Sequence, residues 1–201
     1  MASWNASKTR KITMVGMLSA VAAVLMYLNF SVPFLMPSFI KLDVSELPAL
    51  LAAYALGPMS GAAVCLIKNL VNLMNTSTGG VGELSNFLLG LCFVLPAGIF
   101  YRYKKNRKMA FIGAIIGALT MACASVLTNY FVVYPIYYQL MSMSEEAVLK
   151  AYQALNPRMD SILECLICFN LPFTFVKGMF SVIIVFPTYK KLAPFLKGTK
   201  A

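Results

Sequence analysis

FIKLDVSELPALLAAYALGP, residues 39–58, opens on a charged, irregular run and closes on an apolar helix too short for its surroundings. Ser45 is placed to cap that helix. Glu46 and Pro48 fall in its first turn, where an acid and a proline are tolerated, and Gly57-Pro58 ends it. About eleven residues rising about 1.5 Å each reach roughly 17 Å, against about 30 Å of bilayer hydrocarbon. The run before it, residues 34–44, holds Pro37, Lys41 and Asp43 behind Pro33, so it reads as a loop that dips inward. Non-helical backbone at such depth is tolerated only where protein buries it or where it lines a cavity.

The rest of the chain explains why bilayer thickness is the right yardstick. Hydrophobic residues make up 60% and charged residues 12%, against roughly half and about a quarter in soluble domains. Apolar periodicity predicts six membrane helices at about 11–32, 46–56, 59–74, 83–103, 110–140 and 162–189, in one all-α membrane domain over residues 1–201. The first follows Lys8, Arg10 and Lys11 but is too long for a signal peptide and lacks a small-residue cleavage pattern, so it reads as a retained span. Ser144 and Glu145-Glu146 start a short surface helix between the last two spans.

Charge placement orients these spans. Lys8, Arg10 and Lys11, the linker Arg102 to Lys108, and Lys190, Lys191, Lys197 and Lys200 all fall on one side of a six-span chain. The positive-inside rule makes that side cytoplasmic, with both termini. The net charge of +10 therefore reflects topology and not nucleic-acid binding. Histidine is absent, so metal binding and triad catalysis are not expected, and no cofactor is. Cys65, Cys92, Cys123, Cys165 and Cys168 lie in apolar runs and read as packing residues. The Gly79-Gly80-Val81-Gly82 turn lacks the lysine and spacing of a phosphate loop, so this chain is not expected to hydrolyse ATP.

Polar residues inside apolar helices are costly, and a lysine at mid-bilayer costs about 3 kcal/mol. Asn129, Asn170, Thr174 and Lys177 are such residues. Singly, each serves equally well as a hydrogen bond between helices. Together, Asn129, Thr174 and Lys177 converge with the inward loop and with Thr78, Gly79, Gly80, Gly82 and Glu83 on the outer half of the bundle. Phe34, Phe39, Tyr130, Tyr134 and Phe173 supply flat apolar walls. That combination suits capture of a small molecule. On the first span Gly16 and Ala20, and Ser19 and Ala23, sit four apart, a smooth face for a helix of this chain or of a partner.

The motifs Phe39-Ile-Lys-Leu-Asp-Val-Ser-Glu-Leu-Pro48, Ile67-Lys-Asn69, Thr76-Ser-Thr-Gly-Gly-Val-Gly-Glu83 with Asn86-Phe87, and Leu171-Pro-Phe-Thr-Phe-Val-Lys-Gly178 together resemble the riboflavin-binding S-components of energy-coupling-factor (ECF) transporters. The resemblance covers essentially the whole chain. It implies a six-helix fold that binds riboflavin near its outer face and docks on a transmembrane coupling subunit driven by two cytoplasmic ATPases. Carried over by position, Asn129 and Lys177 match ligand contacts, and the loop Lys41, Leu42 and Asp43 matches the segment covering the site. Thr174 departs from the Asn that the pattern often carries there. An S-component for thiamine, biotin or folate, or a membrane assembly protein with no ligand, would use the same frame.

Overall fold

The computed structural model describes residues 2–37, 40–76, 78–140 and 144–197, and it is helical almost throughout. The order is α1 (Ala2–Tyr27), a hairpin of β1 (Phe30–Ser31) and β2 (Lys41–Leu42), α2 (Glu46–Leu56), α3 (Pro58–Leu73) and α4 (Val81–Tyr103). Next, α5 (Arg107–Thr128) passes through a π turn (Asn129–Val133) into α6 (Tyr134–Leu140). The surface helix α7 (Glu145–Gln153) follows. Then α8 (Ile162–Cys165) passes through a second π turn (Leu166–Asn170) into α9 (Leu171–Lys197). Among the described residues, four stretches are long and apolar enough to cross a membrane: Lys8–Tyr27, Val81–Tyr103, Arg107–Gln139 and Ile162–Pro187.

Two expectations need correction at the first turn. The first helix stops at Tyr27 rather than running to residue 32, because Asn29 turns its amide back to donate to the carbonyl of Met26 at 2.8 Å. The segment that follows is not wholly irregular. Phe30 pairs with Leu42 and Ser31 with Lys41 in an antiparallel register, which satisfies backbone groups that Pro33 and Pro37 keep out of a helix. Ser45 also departs from its expected role. Its backbone is already helical and its hydroxyl makes no cap; that hydroxyl donates to Asp43 instead.

The short helix α2 is the centre of the bundle. Its residues from Pro48 to Tyr54 are all buried, as expected of a helix apolar on every face. Gly57 ends it with φ of +106°, a backbone that residues with a side chain rarely adopt, and Pro58 starts α3 at once. Close approach of helices depends on small residues. A Cβ at Gly61 would lie 2.8 Å from the Ala49 carbonyl on α2, and one at Gly117 would run into the carbonyl oxygen of Phe93 across the α4–α5 seam. Without a water-driven force between helices in lipid, such contact supplies much of the attraction. A second apolar cluster, with Val148, Tyr152, Ile162 and Leu166, ties α7 to the last long helix.

Of the cysteines, Cys65 and Cys165 are buried as packing residues, whereas Cys123 and Cys168 face outward. Tyr101 and Tyr137 lie near the ends of apolar runs, where a tyrosine commonly anchors a helix at the membrane surface, yet both are buried, Tyr137 beside a large cavity.

Candidate ligand-binding site

That cavity, of about 530 Å³, opens at the end of the bundle where α1 and α3 finish and α4 begins. Its size falls within the range of about 300–1,000 Å³ typical of small-molecule pockets. It is bounded by the hairpin on one side, the turn between α3 and α4 on another, and the two π turns opposite. Each π turn inserts an extra residue into a helical turn, which re-aims the side chains on its flank. Asn129 opens the first π turn and Asn170 closes the second, and both line the cavity.

Lys177 on α9 reaches across to the hairpin, where its ammonium lies 2.8 Å from Asp43 Oδ2. The other oxygen of Asp43 accepts from the Ser45 backbone N–H at 2.9 Å and from the Ser45 hydroxyl. Ser45 Oγ in turn accepts from Lys68 Nζ at 2.6 Å, and Lys68 pairs with Glu46 at 2.7 Å with both side chains fully buried. Two cations and two carboxylates thus neutralise one another in a line from α9 through the hairpin to α2 and α3. Burial alone would raise the pKa of Asp43, but Lys177 first, then Lys68 and the Ser45 hydrogen bond, hold its carboxyl below the usual carboxylate range.

The glycine turn is organised by Glu83. Its carboxylate accepts from Asn72 Nδ2 at 3.0 Å, Thr76 Oγ1 at 2.9 Å and Thr78 Oγ1 at 3.0 Å. Thr76 Oγ1 accepts from the backbone N–H groups of Thr78 and Gly80, and Thr78 Oγ1 from that of Gly82. Glu83 borders the cavity, yet its oxygens are occupied by its own turn, so it shapes the wall rather than standing open to a ligand. Gly79 and Gly80 have positive φ and serve the turn itself; neither lines the cavity, unlike Thr78 and Gly82.

On the opposite wall, Tyr152 of α7 donates its hydroxyl to Asn170 Oδ1 at 2.6 Å and shares a 2.7 Å hydrogen bond with the Tyr134 hydroxyl. Burial pushes the Tyr152 phenol well above its ordinary pKa, so it stays a donor. With Oδ1 taken, Asn170 has its amide N–H groups left to offer.

The expected site residues therefore divide. Lys41, Asp43, Thr78, Gly82, Glu83, Asn129, Tyr134, Asn170, Thr174 and Lys177 come together around one cavity. Leu42 does not line it. Tyr130 does not either: it is exposed on the outer side of its helix, its ring edge-on to Phe131 at 5.0 Å, because the π turn rotates it away. Phe34 is exposed, and Phe39 lies outside the described residues. The cavity also takes in polar residues not expected there, among them Asn29, Asn75 and Tyr137. Asn29 falls inside the run read as the first span, Asn75 sits just past the third, where an Asn reads simply as a cap, and a tyrosine near the end of a span, such as Tyr137, reads as an interface anchor. The four small residues of the first helix do not form one free face. Gly16 and Ala20 are exposed, whereas Ser19 and Ala23 are buried within this bundle.

Residues 10–189 match the family described as "ECF transporter, substrate-specific component". The chain is 33% identical over 193 residues to the riboflavin transporter RibU of Staphylococcus aureus (strain TCH60), covering 96% of this chain and 95% of that one. It is 30% identical over 198 residues to the riboflavin transporter FmnP of Bacillus subtilis (strain 168), covering 96% and 97%. Its fold resembles the solved S component of a bacterial ECF transporter with a TM-score of 0.74 and 33% identity, over 94% of this chain and 99% of that one.

Proposed function

The chain belongs to the substrate-specific components of ECF transporters, and on that premise we propose that it captures riboflavin in the cavity between the hairpin and the two π turns. The observation that carries this reading is the composition of the cavity wall. Polar groups not consumed by the protein's own bonds, the Asn129 amide, the Thr174 hydroxyl and the N–H groups of Asn170, stand among Tyr134, Tyr137, Phe173 and Leu89. A flat, conjugated ring system with one polar edge matches aromatic walls with a few convergent amides. The ribityl chain, with several hydroxyls, matches the rim of Lys41, Asn75 and the Thr76 to Thr78 turn. Both relatives described above carry riboflavin in their names.

In this reading the bundle crosses the membrane six times. The four long stretches are joined by α2 and α3, whose 11 and 16 residues span the bilayer incompletely and leave the depth above α2 to the hairpin. The basic clusters mark the cytoplasmic side, which puts the cavity at the outer face. The chain supplies recognition, and the energy for uptake comes from a transmembrane coupling subunit with its ATPases. Gly16 and Ala20 form the part of α1 open to that partner; Ser19 and Ala23 are spent on internal packing.

The test is a titration of the detergent-purified chain with riboflavin, following quenching of flavin fluorescence. Saturable quenching at submicromolar concentration is the expected result. Purified protein that carries no flavin and leaves added riboflavin unquenched would refute the reading, and preferential quenching or retention of another vitamin would reassign it.

A further inference from the structure

A second cavity, of about 340 Å³, lies at the other end of the bundle. Its floor is the Gly57-Pro58 turn packed on Gly98, where an added Cβ would stand 2.9 Å from Pro58. Three cations from two parts of the chain line it: Lys11 on α1, and Arg102 in the last turn of α4 with Lys105 in the linker just after it. The chain has seven acids, Asp43, Glu46, Glu83, Glu145, Glu146, Asp160 and Glu164, and none of them lines this cavity. Three positive side chains around one concavity with no carboxylate among them repel one another, and an anion relieves that repulsion. The start of α3 at Pro58 adds the partial positive charge of a helix N-terminus.

Position in the bundle selects the source of the anion. The helix α4 begins beside Gly82 and Glu83 of the first cavity and reaches the second at Arg102. Its 23 residues at about 1.5 Å each make roughly 35 Å, a little more than the hydrocarbon thickness. The second cavity therefore sits at headgroup depth in the leaflet opposite the ligand site. Leu56 and exposed Met59 on its wall offer apolar surface of the kind that glycerol and the upper acyl chain cover, and that free phosphate has no use for.

We propose that this cavity is a binding site for the phosphate headgroup of an anionic phospholipid of that leaflet, held by Lys11, Arg102 and Lys105. The site does not depend on which vitamin the first cavity binds.

The full chain, purified in neutral detergent, is incubated with phosphatidylglycerol, phosphatidylcholine or inorganic phosphate, and bound adducts are counted by native mass spectrometry. Phosphatidylglycerol is expected to be retained over phosphatidylcholine. The double variant Arg102→Gln/Lys105→Gln should lower that retention roughly tenfold or more. Lys104→Gln/Lys108→Gln removes the same charge from the same linker outside the cavity and should keep it. Equal loss in both doubles, no preference for the anionic lipid, or displacement of the lipid by an equal concentration of phosphate would each overturn the proposal. Riboflavin quenching on the same samples checks folding. If the first double fails to fold, Lys11→Gln replaces it, with a smaller loss expected and unchanged retention counting against the site. Absence of quenching in every sample, wild type included, would sink the flavin reading and leave the lipid result standing.

Discussion

Lys177 and Asp43, 134 positions apart in the chain, meet at 2.8 Å on the wall of the larger cavity and join α9 to the hairpin in front of it. Their side chains are 12% and 6% exposed, so the pair is largely removed from solvent. The pair stands in line with Ser45, Lys68 and Glu46, so removing one member strands charge that the others balance.

Replacing Asp43 by Ala leaves Lys177 without its carboxylate. Breaking a buried pair from one side costs about 3 kcal/mol or more. Asp43→Ala should lower the thermal midpoint of the detergent-purified chain markedly, while Asp43→Ala/Lys177→Met should recover part of the loss. A double variant no more stable than the single would mean that the two charges do not stabilise each other.

The same pair sets the acid response. The folded-state pKa of Asp43 is depressed below the ordinary carboxylate value of 3.8, so its stabilisation is fully present above that value and is lost as pH falls through the lower, folded-state value. The chain has no histidine to titrate nearer neutrality. Riboflavin quenching and thermal midpoint should therefore stay level from about pH 8 to about pH 5. A transition centred near pH 6 would show that Asp43 is not held ionised.

Gly117 faces the carbonyl of Phe93, whereas Gly16 has nothing within 4 Å of where a Cβ would stand. Gly117→Ala should cost about 1–3 kcal/mol by overpacking the α4–α5 seam. Gly16→Leu with Ala20→Leu should leave the thermal midpoint and flavin binding unchanged but abolish co-purification with the coupling subunit. Normal co-purification of that double variant would remove α1 from the docking surface.

Those contrasts mark what the sequence could disclose. Hydropathy located every long helix, because burial in lipid demands about 20 apolar residues whatever the partner. The short α2 and its polar approach were visible for the same reason, and so was the convergence of Asn129, Thr174 and Lys177. Direction was harder to read. A π turn adds one residue to a helical turn without altering composition, so Tyr130 and Tyr134, four apart, would share one face of an α-helix, yet Tyr134 lines the cavity and Tyr130 points outward. Ser19 and Ala23 have the same small-residue spacing as Gly16 and Ala20, and only the packed bundle separates the two faces. Partnership was hidden as well: Glu83 was expected among the ligand-binding residues, but its oxygens are claimed by Asn72, Thr76 and Thr78.

Tyr152 offers a test of action at one remove. It is fully buried and does not line the cavity, yet its hydroxyl lies between Tyr134 and Asn170, which do. Tyr152→Phe keeps the ring and deletes the bond that holds Asn170 Oδ1, so the amide is free to turn and its N–H groups are no longer aimed. A lost hydrogen bond of this kind is worth about 1 kcal/mol, or roughly fivefold in flavin affinity. In Asn170→Ala the hydroxyl has nothing left to orient, so adding Tyr152→Phe to that variant should cost little more. Titration of the wild type, the two singles and the double gives the coupling directly. Fully additive losses would mean that Tyr152 supports the site through Tyr134 or through packing, and that Asn170 finds its orientation without it.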